Sequence, residues 1–214
     1  MVVTIAEPVG AAQEAEVIFK PIFGKSWEAL PPVLRRHYAV RDDTADSVTV
    51  TGHLDIQVAR LVGWLSRLTG LLVPYSGRDV PVTVRFSATP DGAGLVFDRR
   101  FHYPQRTVHF RSCMVPVGGS EVIEYMRFGI GWRLAYCWVG TKIILQHRGY
   151  VWRIFGCTLP MPFALFFGAG YAEEWAEDEN SFRMLTHVRH PLFGTHFTYT
   201  GRFSITELAC PDPS

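Results

Sequence analysis

Alternation of apolar and polar positions runs through most of the chain from Val80 onward, interrupted at intervals by turn-forming residues. Val82, Val84 and Phe86 share one strand face, as do Leu95, Phe97 and Phe101 in the next strand, and Val108, Phe110 and Met114 in the one after. Pro90-Asp91-Gly92 and Gly118-Gly119 mark turns between them. Val122, Met126 and Phe128 form the apolar face of Glu121–Phe128. Trp132, Leu134, Tyr136 and Trp138 alternate again, followed less cleanly by Ile143, Leu145 and Val151. Beyond a Pro-rich break, Tyr171–Glu177 reads as a strand and Asp178-Glu179-Asn180 as a turn. Phe182–His190 and Thr195–Ile205 make a last hairpin around Pro191–Gly194.

The first third of the chain follows a different pattern. Residues 1–13 read as a flexible tail, followed by short helices over Ala15–Phe23 and Trp27–His37, the second capped by Ser26 and limited by Pro31 and Pro32. Ser47–His53 alternates as a strand. Leu54–Thr69 then reads as the longest helix, with Val58, Leu61, Val62, Leu65 and Leu68 at helical spacing and Gly70 ending it. Short connections imply antiparallel pairing. The expected architecture is α+β: a strongly curved antiparallel sheet, a half-barrel or open barrel of about nine or ten strands. The long helix packs on its concave side or at its mouth. A single domain covers 14–207, with a second flexible tail over 208–214.

Polar residues on apolar strand faces are the informative exceptions. Arg99 interrupts the face of Leu95, Phe97 and Phe101, while Asp98, Arg100 and His102 face the other way. Ser112 sits on the face of Phe110 and Met114, Glu124 on that of Val122 and Met126, and Tyr199 joins Phe197 and Phe203. His147 falls between Leu145 and Val151. A lone buried charge costs several kcal/mol, so Arg99 and Glu124 each require a partner. They are expected either as a structural pair in the core, with Ser112 and Tyr199 bonded to it, or as polar anchors in an apolar ligand cavity. Glu124 as a catalytic acid is disfavoured, because a neighbouring Arg99 lowers its pKa; as a general base it could serve.

Composition narrows the function classes. The chain has 214 residues, 48% hydrophobic and 14% aromatic, enough for a full core without a metal or disulfide staple. A net charge of +1 argues against nucleic acid. Cys113, Cys137, Cys157 and Cys210 contain no CxxC pair and read as buried thiols of a reducing compartment, hence a soluble cytoplasmic protein. The N-terminus has no signal-peptide pattern. From Ile154 to Ala172 no residue is charged, yet Gly156, Pro160, Pro162, Gly168 and Gly170 interrupt the stretch. That favours a buried loop with a short helix, or a peripheral membrane contact through 154–172, over a spanning helix. His187 and His190 would face opposite sides of a strand, so no metal site is expected, and no cofactor motif is present. Glu173-Glu174-Trp175 with Glu177-Asp178-Glu179 reads as a solvated acidic edge.

Several segments in order resemble one family. Trp27–Tyr38 (W-E-A-L-P-P-V-L-R-R-H-Y) is similar to the opening of a bacterial domain-of-unknown-function family, number 4166. Thr51-Gly52-His53, Phe97-Asp98-Arg99-Arg100-Phe101, Phe110-Arg111-Ser112 and Glu124 through Phe128-Gly129 resemble its later motifs. So do Leu159-Pro160-Met161-Pro162 (with Met for the usual middle residue), Glu174, His190–Gly194 and Tyr199-Thr200-Gly201. The resemblance covers about Phe23–Phe203 and implies no activity. It does imply that such domains often follow a saccharopine-dehydrogenase-like or short-chain-dehydrogenase-like module. Three functions are therefore carried forward. The first is non-catalytic binding of an apolar or amphipathic small molecule, lipid or acyl-like. The second is a regulatory module docking on a separate dehydrogenase-like partner. The third is an enzyme with Glu124 as base and Arg99 as substrate anchor.

Overall fold

The computed structural model describes residues 15–211. Its eleven strands are β1 (Ser47–Val58), β2 (Gly77–Ala88), β3 (Leu95–Tyr103), β4 (Arg106–Gly118), β5 (Glu121–Tyr125), β6 (Ile130–Val139), β7 (Lys142–Ile154), β8 (Cys157–Met161), β9 (Ala169–Ala176), β10 (Ser181–His190) and β11 (Gly194–Ala209). The helices are α1 (Lys20–Phe23), α2 (Pro32–His37), α3 (Arg60–Thr69) and α4 (Ala164–Phe167), with a 3-10 turn over Gly24–Ala29. All strand pairs are antiparallel, in the order β6-β5-β4-β3-β2-β1-β11-β10-β9-β7-β8. Pairing of β6 with β7 closes ten of them into a barrel. The expected curved sheet is thus present, and it closes on itself through the β6–β7 and β7–β9 ladders. Closure removes the free edge along the lower wall.

The two ends of the barrel are sealed differently. At the lower end the N-terminal helices form a plug in which Phe19, Trp27, Val33, Leu34 and Tyr38 are almost wholly buried. Phe19 stacks on Tyr38 at 5.0 Å between ring centroids and meets Tyr136 of β6 edge-on at 5.5 Å. These helices are shorter than expected, because Gly24 takes a positive φ of 51° and Pro31 and Pro32 restart the chain. At the upper end α3 lies across the mouth. It begins at Arg60, not Leu54: β1 continues to Val58, and Leu54 and Ile56 are barrel core. Val62, Leu65, Ser66 and Thr69 face inward, whereas Leu61 and Leu68 of the expected apolar stripe face out.

The barrel wall splits near this mouth. The lower half of β7 pairs with β9 through Lys142–Gln146, but its upper half, Tyr150–Ile154, pairs with β8 outside the ring. α4 fills the gap. His196 Nε2 donates to the Phe167 carbonyl, His190 Nε2 to that of Leu165, and the Tyr150 hydroxyl to that of Gly168. The uncharged stretch is therefore an outer strand and one helical turn, much of it exposed, and not a buried loop. No helix among the described residues is long and apolar enough to cross a membrane.

Three local readings need correction. A register shift in β7 opposite Arg133/Leu134, with Gly149 at φ 126°, is a β-bulge that reverses side-chain parity. Tyr150 consequently faces inward and Val151 packs outside with Ile123 and Tyr125. Phe128 leaves the face of Met126 because it sits in the β5–β6 turn at φ 60°, largely exposed. No disulfide joins the four thiols among the described residues, and none is fully buried, Cys157 being exposed on β8. Strand β11 pairs with β1 as far as Ala209, and the expected tail 1–13 lies outside the described residues.

Candidate functional site

Three neighbouring strands each contribute one inward polar residue at mid-height of the barrel. Arg99 comes from β3, Ser112 from β4 and Glu124 from β5. The register places Phe97 opposite Ser112 and Met114 opposite Glu124, so the three side chains converge on one patch. Arg99 Nη2 donates to Glu124 Oε1 at 3.0 Å and Nη1 donates to Ser112 Oγ at 2.7 Å. Ser112 Oγ in turn donates to the same Glu124 oxygen at 2.6 Å. The guanidinium lies over the rings of Phe97 and Phe110, 4.7 and 5.3 Å from their centroids. Only two of its five N–H groups are committed in these bonds, and Arg99 borders a cavity.

The opposite wall carries Thr186 of β10 and Tyr199 of β11, directly paired across the ladder. Tyr199 keeps some accessible surface because it faces the cavity, yet it lies deep in the protein, and that desolvation raises its hydroxyl pKa. Thr186 sits near enough to oppose that rise, but its own Oγ1 is buried without an aligned hydrogen bond. Between the walls stands Trp132, whose Nε1 donates to His147 Nδ1 at 2.6 Å. An indole is only a donor, so His147 carries its proton on Nε2, which is buried and unpaired. Burial lowers the His147 pKa. The Trp132 ring occupies the space over Gly170, where an added Cβ would lie 2.1 Å from the indole.

Above this polar patch, under α3 and α4, is a cavity of about 160 Å³. Its apolar walls include Val62, Leu65, Leu72, Phe110, Tyr150 and Phe197. His196 also lines it; with Nε2 bonded to Phe167, its Nδ1 is a buried acceptor without a partner. A smaller space of about 50 Å³ continues below, toward the plug. Arg99, Phe101, Glu124, Trp132, Thr186 and Tyr199 border both, so the polar patch is a waist between two chambers.

The lower chamber holds a second buried group. Glu174 of β9 accepts a 2.7 Å hydrogen bond from the Tyr38 hydroxyl and lies 3.8 Å from His37 Nε2. Burial pushes the Glu174 pKa up to about 7, against smaller opposing effects of Tyr38 and Arg99. Burial, reinforced by the Arg99 charge, pushes His37 down to about 3. Near pH 6 both groups are therefore neutral.

Of the residues singled out by strand parity, Arg99, Glu124 and Tyr199 line the cavity. Ser112 and His147 stand behind it, buttressing the ion pair and Trp132 respectively. Tyr199 is across the barrel from the Arg99–Glu124 pair and makes no hydrogen bond with it among the described residues. Glu174 is not part of a solvated edge: Ala172, Glu174 and Ala176 share the inner face of β9, and Glu173 points out to Lys142. Thr186 was equally legible, since it alternates with Phe182, Met184 and Val188. His187 points outward against Tyr171 while His190 caps the β10–β11 turn.

The profile of the family described as "Domain of unknown function (DUF4166)" matches residues 30–203. No curated protein matches the chain. Among solved structures, the crystal structure of Rv2717c from M. tuberculosis is similar at 12% identity and TM-score 0.42, covering 87% of this chain and 98% of that one. A putative thioesterase II from Thermobifida fusca YX is similar at 7% identity and TM-score 0.23, covering 78% and 80%.

Proposed function

The chain belongs to the DUF4166 family, a domain family of unknown function, and on that premise we propose that it binds, without catalysis, a compact amphipathic molecule inside the barrel. One observation carries the reading: a charged pair with uncommitted donors opens onto an apolar cavity that also contains the unpaired Thr186 Oγ1 and His196 Nδ1. Buried polar groups normally have partners, and unpaired ones aimed at a cavity are what a ligand would satisfy.

Volume and charge narrow the ligand. A cavity of about 150 Å³ holds one benzene. The upper chamber, at about 160 Å³, therefore suits a single ring or a chain of roughly six to eight carbons. A long acyl chain would exceed it unless α3 or α4 moved, so the lipid-like expectation contracts to a small or medium-chain molecule. The free Arg99 N–H groups and the Thr186 and Tyr199 hydroxyls call for an acceptor on the ligand. Glu124 already balances Arg99, so a carboxylate would add an uncompensated negative charge in the interior. A neutral acceptor, such as a ketone, ester, amide or alcohol oxygen, fits better. One Glu124 oxygen, Oε1, already accepts from both Arg99 and Ser112, which ties the carboxylate to the wall and favours an anchoring role over that of a general base.

Native mass spectrometry of gently purified protein, with solvent extraction of what accompanies it, tests the reading. Thermal shifts with 2-heptanone, heptanoate and heptylamine test the head-group preference. The expected order is ketone above carboxylate, with no effect of the amine. Leu65→Trp, which fills the cavity from α3 without touching the ion pair, should abolish the ketone shift. A clean apo mass from folded protein together with no shift for any probe would overturn the proposal.

A further inference from the structure

The mouth of the barrel is ringed by apolar residues that none of the described residues covers. On the outer face of α3 these are Leu61, Trp64 and Leu68, and at loop and helix tips around it Phe128, Phe155, Phe166 and Phe193; their exposure runs from 52% to 99%. All stand at one end. The ladder sets Val58 opposite Phe197 and His190 opposite Gly194. It sets Tyr103 opposite Arg106 and Ile154 opposite Cys157. The turns carrying these residues thus rise together with α3.

Two of the seven are held in unusual backbone. Phe128 at φ 60° and Phe155 at φ 48° occupy the left-handed region, which bulky residues avoid. Each presents an aromatic ring to solvent from a position where glycine would be unstrained. Strain retained at an exposed aromatic points to use of that ring.

The charges of this end are equally one-sided. Arg60, Arg67, Arg78, Arg106, Arg127 and Arg189 are all exposed, and none makes an ion pair among the described residues. The acids nearby are Asp55 and Asp79, with Asp79 paired to His53. The acidic turn Glu177-Asp178-Glu179 lies at the opposite end, at the β9–β10 hairpin.

We propose that this mouth docks on an anionic lipid bilayer. Aromatic and leucine tips would enter the interface while the unpaired arginines meet lipid phosphates. The apolar residues are raised points on five separate segments, not a groove, and cations stand between them. A flat anionic surface complements that arrangement without requiring a matching shape. The cavity lies directly beneath α3 and α4, the elements that would meet the bilayer. Docking itself does not depend on what the cavity holds.

Sedimentation with vesicles of phosphatidylcholine, and of phosphatidylcholine containing about one-quarter phosphatidylserine, tests the surface. Binding is expected only to the anionic vesicles, with loss at high salt as screening shortens the Debye length. Trp64 emission should shift to the blue on binding, a change absent from Trp64→Phe. Arg67→Gln with Arg189→Gln should weaken binding about thirtyfold, taking about a fivefold loss per arginine at an anionic surface. Phe166→Ser with Phe193→Ser should weaken it also, and these exposed positions leave the core intact. No sedimentation with anionic vesicles at low salt would overturn the proposal. So would binding that ignores salt and both double variants, or a stoichiometric protein complex that buries Trp64 without lipid.

Discussion

Replacing Glu174 by Gln should make the stability of the protein, relative to wild type, rise with pH across a defined window. The neutral amide can still accept from the Tyr38 hydroxyl, so the substitution removes a titration while keeping the contact. In the unfolded chain Glu174 titrates near 4.5, and burial raises it to about 7 in the folded protein. A raised carboxyl pKa means that the native state holds a proton the unfolded state has lost, so its contribution is complete below pH 4.5 and disappears as pH rises to 7. An interval of about 2.5 pH units at about 1.4 kcal/mol each comes to about 3–4 kcal/mol. The variant lacks this loss. Its stability minus that of wild type should climb by about 3–4 kcal/mol between pH 4.5 and 7 and be flat outside that window. Wild type alone would conceal the effect. His37, lowered from 6.5 to about 3, is protonated only in the unfolded state between those values, and its contribution is lost as pH falls. Between pH 4.5 and 6.5 the two slopes cancel, as if folding moved one proton from His37 to Glu174. Urea melts of both proteins at intervals from pH 4 to 8 measure the difference directly. A pH-independent difference, or one of opposite slope, would falsify the neutral pairing by showing that burial does not hold a proton on Glu174.

Other substitutions probe the waist and its supports. Arg99→Met or Glu124→Gln alone should cost about 3–5 kcal/mol by stranding the partner, and the double variant should cost less than the sum, as read from chemical denaturation. Thr186→Val should stabilise the ligand-free protein by about 1 kcal/mol, because it removes an unpaired buried hydroxyl, while weakening retention of a neutral acceptor ligand. Gly170→Ala should destabilise by about 1–3 kcal/mol and alter tryptophan emission, since the added methyl meets the Trp132 ring; an unchanged melting curve would show that the indole has room to move.

The site was legible wherever one strand face could be followed without interruption. On β3, β4 and β5 alternation alone identified Arg99, Ser112 and Glu124 as inward, and the register then brought them together. The same test failed on β7, where the bulge near Gly149 exchanged Tyr150 for Val151, because an inserted residue leaves the composition of both faces plausible. It failed on β1 for another reason. Leu54, Ile56 and Val58 alternate as a strand, yet Val58 also begins the helical spacing of Leu61, Val62 and Leu65, and short apolar runs satisfy both periods. Barrel closure through β6 and β7 was out of reach, since no local pattern decides whether a curved sheet meets itself.

Glu174 is the most instructive omission. Its neighbours Glu173, Glu177 and Asp178 are acidic, and the run reads as solvated when charge is considered without parity. Parity assigns Gly170, Ala172, Glu174 and Ala176 to one face, and three of these four are the smallest residues available. An inner face built from Gly and Ala implies that large side chains from elsewhere fill the space above it. Trp132 does so over Gly170, and the plug supplies Tyr38 and His37 beside Glu174. A carboxyl on such a face is enclosed by its neighbours' partners, so its burial follows from the small residues flanking it rather than from its own chemistry. The raised pKa, the hydrogen bond to Tyr38 and the neutral His37 all derive from that enclosure.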